Sequence, residues 1–303
     1  MIKKKSLPSV SKKEEKMQKS QNDDLPSEIS KQQISEFINI SLATSRIKKI
    51  VVEEKKGDWE FRTNINLFIF GRIGSTKSTF LGEIARKTAG KEPFTDLTYP
   101  ALIGSIDKLT RQLLIGACWE CRNSLLLLDE FDFGNRKKDA IRTLLQLIEG
   151  GKYSKKIASF SAPTHEKDGD LFYSFENGTF NIKTRFALIT ATMKNPYQTQ
   201  NAELKALMSR SICIPLYPNN KELKRIAQGY PIFTYKEIPV KEEVKINKKD
   251  YNRILNYVDN RNDGTNYLRI VGDCVRVFAV LKKHNFKLYS LIIKFGQKKF
   301  TWK

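Results

Sequence analysis

The stretch "NINLFIFGRIGSTKSTFLGEI", residues 64–84, decides the fold. An apolar run, Asn66-Leu67-Phe68-Ile69-Phe70, breaks into Gly71-Arg72-Ile73-Gly74-Ser75-Thr76-Lys77-Ser78, and apolar residues then recur at 80, 81 and 84, a helical spacing. This nearly matches the phosphate-cradling loop G-x-x-x-x-G-K-[ST], with Thr76 where the second glycine is expected. The loop needs a buried strand to hold it and a helix whose unpaired N–H groups face the phosphates; both are written on either side of it. On that reading Gly71, Arg72, Ile73, Gly74, Ser75, Thr76, Lys77, Ser78 and Thr79 wrap a phosphate chain. Lys77 reaches the β- and γ-phosphates, and Ser78 ligates Mg²⁺. A threonine at 76 is compatible with the loop if its φ stays negative. An ordinary strand–turn–helix is the competing reading of the segment taken alone.

A second apolar run, "SLLLLDEFD" at 124–132, sets Asp129 and Glu130 at the end of four leucines. Ligands bind at such strand ends in open α/β sheets. Asp129 is expected to hold Mg²⁺ through water, and Glu130 to polarise an attacking water. A third run, "RFALITATM" at 185–193, completes a set of buried segments separated by helical ones, which predicts a parallel sheet covered on both faces. Phosphoryl transfer also needs positive charge near the reacting groups. "ALMSRSICIPL" at 206–216 offers Arg210 between a short helix and an apolar strand. "TNYLRIVGDCVRVFAVLKKH" at 265–284 puts Arg269 and Arg276 on roughly one helix face. Ordinary surface charges would leave the same local pattern.

Lys and Arg outnumber Asp and Glu by 54 to 33, a formal net charge of +21, which fits a polyanion-binding protein better than an enzyme of small molecules. Lysine-rich surfaces of thermophile proteins are the alternative source of such charge. At 303 residues and 40% hydrophobic content the chain can build one α/β domain, a smaller second domain and tails. The sequence shows neither a membrane-length apolar run nor a signal peptide, so a cytoplasmic protein with no membrane partner is expected. Cys118 and Cys121 form a C-x-x-C, but with Cys213 and Cys274 isolated they read as core residues before they read as a zinc or redox site. Residues 1–32 read as a charged tail, 33–220 as the ATPase core, 221–246 as a charged, proline-interrupted linker and 247–303 as a helical second domain. A helical pattern runs from Gln33 to Val52.

The motifs together resemble the minichromosome maintenance (MCM) helicases, which are AAA+ ATPases. "GRIGSTKS" looks like their P-loop, where a small residue precedes Lys-Ser, so Thr76 becomes a variant of that pattern. "LLDEFDFGNRKKDAIRTLLQLIEGGKYS" is similar to their Walker B strand and following helix, and "ALITATMKNP" to their sensor-1 strand. "ALMSRS" resembles their arginine-finger segment, and Arg269 sits like the sensor-2 arginine of the lid helix. Sensor 1 itself falls on Thr192 or Asn195, either of which can hydrogen-bond the γ-phosphate or the water; Met193 lies between them. The resemblance spans about residues 35–290 and implies an α/β AAA+ P-loop core, a parallel sheet between helices, with a small α-helical C-terminal lid. It implies ATP and Mg²⁺ as cofactors, a hexameric ring of the chain's own copies, and single-stranded or forked DNA as the partner in DNA replication. The family's N-terminal DNA-binding module has no room in the roughly 60 residues before the P-loop. So compact a version suggests a virus, plasmid or integrated element, working in its host's cytoplasm.

The stretch 157–184 is longer than the family's hairpin at that place. In "DLFYSFENGTFNIKTR", 170–185, Asn177-Gly178 lies between two alternating aromatic runs, a strong hairpin signal. A hairpin before sensor 1 grips nucleic acid in AAA+ helicases, which makes Phe175, Phe180, Lys183 and Arg185 candidates for stacking and phosphate contacts, with Lys155 and Lys156 beside them. A hairpin packed on its own domain is the alternative. Residues 282–303 hold seven lysines and no acid, interleaved with Phe286, Tyr289, Phe295 and Trp302, and read either as a basic binding tail or as a solvated helix. Two other functions share these motifs: a protein-remodelling ATPase of the MoxR type, and an initiator or loader that switches on ATP without translocating.

Overall fold

The computed structural model describes residues 31–53, 57–71, 74–88, 91, 93–95, 98–107, 109, 113–129, 138–156, 164–193 and 201–297. The apolar runs become the strands of one parallel sheet. These are β3 (Leu67–Phe70), β6 (Leu125–Leu128), β11 (Ala187–Thr192) and β12 (Ile212–Pro215), in the order β12-β3-β11-β6. Phe94 adds a one-residue parallel bridge beyond Leu128.

Every residue of β3, β6 and β11 is buried, and alternate side chains enter two different cores. Leu67, Ile69, Leu125, Leu127 and Ile189 belong to one; Phe68, Phe70, Leu126, Leu128 and Leu188 belong to the other. That is why these strands carry no polar alternation: both faces are covered.

The first core is closed by α1 (Lys31–Thr44) and α2 (Lys77–Lys87), together with α8 (Lys248–Asp259), α9 (Tyr267–Leu281) and α10 (Phe286–Gln297). The C-terminal helices therefore share one core with the first helix instead of building their own. Residues 221–246 tie into the same core. α7 (Asn220–Ala227) opens this stretch, Ile232 and Phe233 are buried, and β13 (Glu243–Ile246) pairs in parallel with β1 (Lys49–Val52). Glu83 of α2 accepts from the Ile232 N–H at 2.8 Å, and Lys87 donates to the Phe233 carbonyl at 2.6 Å. The helical pattern expected through Val52 ends at Thr44; "KIVV" is a strand, as its β-branched residues favour. β2 (Trp59–Phe61) completes that small sheet.

The second core is closed by α3 (Tyr99–Ile103), α4 (Ala117–Glu120), α5 (Lys138–Gly150) and α6 (Ala202–Met208). Here too β4 (Gly104–Ile106) pairs with β5 (Leu113–Ile115). A four-stranded antiparallel sheet of β7 (Lys152–Lys156), β8 (Thr164–Asp168), β9 (Leu171–Glu176) and β10 (Thr179–Lys183) packs on this side. Asn177 and Gly178 link β9 to β10 with φ of 50° and 73°, the left-handed pair that a two-residue hairpin of this twist requires. Cys118 and Cys121 are core residues, and burial pushes the Cys121 thiol up to about 12. Among the described residues no helix is long and apolar enough to cross a membrane. Residues 1–30 and Trp302, with their expected tail roles, lie outside the described residues.

Candidate functional site

At the carboxyl edge of the parallel sheet three strand ends meet. Gly71 follows β3, Thr192 ends β11 and Asp129 follows β6. The Gly71 N–H donates to the Thr192 carbonyl at 3.3 Å. Gly71 has to be glycine, because a Cβ there would stand 2.4 Å from the Leu216 carbonyl oxygen and 2.8 Å from Ser75 Oγ. Asp129, 8% exposed, donates its N–H to the Phe94 carbonyl at 2.9 Å, which fixes where the chain leaves the strand.

Lys77 is the first residue of α2 and is 8% exposed. Its Nζ donates to the Gly71 carbonyl at 2.9 Å and to Ser75 Oγ at 3.1 Å, so the ammonium is held inside the loop. Ser78 and Thr79 are exposed on the first turn. Thr76 caps α2 without any side-chain bond to its N–H groups; its hydroxyl donates instead to the Ser75 carbonyl at 2.6 Å. The start of α2 therefore keeps N–H groups that no cap side chain satisfies, the arrangement that binds anions.

Thr76 does not meet the condition of a negative φ. Its φ is 63° and ψ 21°, in the left-handed region. The loop geometry makes the demand that glycine normally meets, and threonine takes it at a cost of roughly 1–3 kcal/mol. Arg72, Ile73, Glu130 and Asn195 lie outside the described residues; the buried side chain of Thr192 stands at the site.

Arg210 and Arg269 lie at the other end of the sheet. Arg210 stands two residues before β12, whose first residue pairs with Leu67 at the start of β3, and Asn66 Nδ2 donates to the Arg210 carbonyl at 3.3 Å. The length of β3, roughly 13 Å at strand rise, separates this position from Gly71. The Arg210 guanidinium forms a close ion pair with Glu149 and donates to the Ala206 carbonyl at 2.7 Å. Arg269 donates to the Ser209 carbonyl at 3.1 Å. Arg276 binds Asp273 at 2.6 Å and the Arg62 carbonyl at 2.7 Å. Together with Arg62 they line a cavity of about 450 Å³. Arg269 thus lies at the amino edge of the sheet, an edge the sequence pattern alone could not assign.

The hairpin residues separate into two groups. Phe175 and Phe180 are 2% and 0% exposed, with ring centroids 4.8 Å apart inside the second core. They cannot stack on bases, because β9 and β10 turn these positions inward. Lys155 and Lys156 are exposed, with Lys155 Nζ 4.5 Å above the Tyr99 ring. Lys183 and Arg185 both pair with Asp170, at 3.0 and 3.1 Å. In the basic C-terminal segment Tyr289 and Phe295 are core residues, so α10 is neither a free tail nor a fully solvated helix.

No protein-family model matches the chain, and no curated protein matches it.

Proposed function

We propose that the chain is an ATP-hydrolysing motor of the MCM-like AAA+ kind, acting on single-stranded or forked DNA within a ring of its own copies. The observation that carries this reading is the meeting of Lys77, Asp129 and Thr192 at one edge of a parallel sheet, beside the uncapped start of α2. The residues present fit a phosphate chain: a glycine that admits close approach, a buried lysine and available helix N–H groups. Lys77 exchanges its bonds to Gly71 and Ser75 for β- and γ-phosphate oxygens. Ser78 and Asp129 are the residues that would hold Mg²⁺, which when bound neutralises charge on those oxygens. Glu130 polarises the attacking water, and Thr192 orients it.

Arg210 and Arg269 sit too far from their own P-loop to reach its nucleotide, so they serve the site of an adjacent copy. That requires assembly. The partner polyanion follows from the net charge of +21. A protein-remodelling ATPase is the second reading, and the burial of Phe175 and Phe180 favours it by leaving the hairpin without rings for bases.

Steady-state ATP hydrolysis with and without single-stranded DNA tests both. Wild type should be stimulated by DNA, and Glu130→Gln should bind ATP but turn over roughly 10²-fold more slowly or worse. Undiminished hydrolysis by Glu130→Gln would remove the acid-pair assignment. A wild type indifferent to DNA would move the function to protein remodelling.

A further inference from the structure

Beyond the arginines at the amino edge, a second cavity of about 540 Å³ opens between the end of α5, the Gly169–Asp170 turn and the strand pair β1–β2. Four cations from three segments line it: Lys48 before β1, Arg62 after β2, and Lys183 and Arg185 on the link from β10 to β11. Three carboxylates share the lining, and each is engaged. Glu60 is held by Lys49 at 3.3 Å and Glu149 by Arg210. Asp170 is taken by both Lys183 and Arg185. Burial pushes the Asp170 carboxyl up, but those two cations outweigh it and hold it below the usual carboxylate range.

Lys48 lies close enough to feel both Asp170 and Arg185, and its own ion pair is with Glu242 at 2.6 Å. Asp170 and Glu242 thus stand as two carboxylates among three cations. Arg185 carries a donor left over: its Nε is buried without a hydrogen-bond partner among the described residues. A buried guanidinium donor left unmade is costly, and an oxyanion in the cavity would satisfy it.

We propose that this trough binds a phosphate group, held by Lys48, Arg62, Lys183 and Arg185 at the sheet edge opposite the P-loop. The ligand is a phosphodiester of nucleic acid or the phosphate of a free polyanion, and Asp170, which lines the cavity, competes with it for the same cations. The site rests on no part of the nucleotide reading. An ion-pair network that serves only the fold would bind neither ligand.

The test uses the full chain carrying Lys77→Ala throughout, so that phosphate held at the P-loop does not count. The probes are inorganic tripolyphosphate, followed by calorimetry, and a fluorescein-labelled oligothymidylate, followed by anisotropy across a salt series. The Lys48→Gln/Lys183→Gln pair should weaken binding by about tenfold or more and lower the oligonucleotide salt slope by about two. Asp170→Asn should tighten binding, since it removes the competitor and keeps the cations. If Asp170→Asn fails to fold, the lysine pair, whose side chains reach solvent, still decides. A response with the oligonucleotide alone names nucleic acid as the ligand, and a response with tripolyphosphate names a free phosphate compound. Equal affinities in all the variants, or no binding of either probe at low salt, would overturn the site.

Discussion

The two edges of the parallel sheet are built on opposite principles. At the carboxyl edge three strand ends meet, and the loop from β3 into α2 supplies neighbouring groups. Thr76 holds a strained φ, α2 starts without a side-chain cap, and Lys77 bonds to its own loop. At the amino edge the groups come from distant segments and mostly pair with one another, with Arg62, Glu149, Arg210, Arg269, Asp273 and Arg276 joined by ion pairs and carbonyl contacts, while Arg269 Nε and Arg185 Nε keep no hydrogen-bond partner among the described residues. On the proposed function the first edge receives the nucleotide. The second must trade internal partners for external ones. An arginine already paired with a carboxylate keeps its fork geometry and needs only a competing oxyanion to change hands.

The comparison can be broken most sharply at Arg210. Arg210→Ala should cut ATP turnover on the order of 10³-fold, as loss of an arginine finger does, while nucleotide affinity stays unchanged. Mixing it with Lys77→Ala protein should restore part of the activity, since a mixed interface joins one intact loop to one intact arginine. Full-rate hydrolysis by a monomer at high dilution would break the division of labour between the edges.

A second test concerns the hairpin, where the aromatic residues serve packing. Phe180→Ala should cost about 3–5 kcal/mol in urea unfolding, the penalty for emptying a core position. A loss within about 0.5 kcal/mol would mean that the ring faces solvent after all.

The smallest effect belongs to Thr76. Thr76→Gly relieves a left-handed threonine but adds chain entropy to the unfolded state, so a net gain of about 1 kcal/mol is expected in denaturant unfolding. A loss of that size would contradict the strained loop.

How much of this was legible in the sequence follows from the range of the contacts. The sheet strands were readable because their apolar runs, buried on both faces, carry no charged residue. The hairpin was readable because Asn177-Gly178 selects its turn. The inward face of Phe175 and Phe180 was not, since an alternating strand does not say which face meets the core. Nor was the sign of φ at Thr76, which the whole loop imposes. The partners of Arg210 and Arg269 lie in α5, α6 and α9, and no local pattern brings Glu149 to Arg210. Likewise "KIVV" continues a helical spacing until β13, nearly two hundred residues on, supplies its partner strand.

The most direct test of the account is equilibrium binding of Mg²⁺–ATP to the full chain, wild type against Lys77→Ala, with ADP and Mg²⁺ alone as controls. Wild type should bind about one ATP per chain saturably, and Lys77→Ala should lose that binding while its unfolding midpoint without nucleotide stays within a few degrees. Equal binding by the two proteins, or none by wild type at millimolar ATP, would contradict the claim that the carboxyl edge is a nucleotide site.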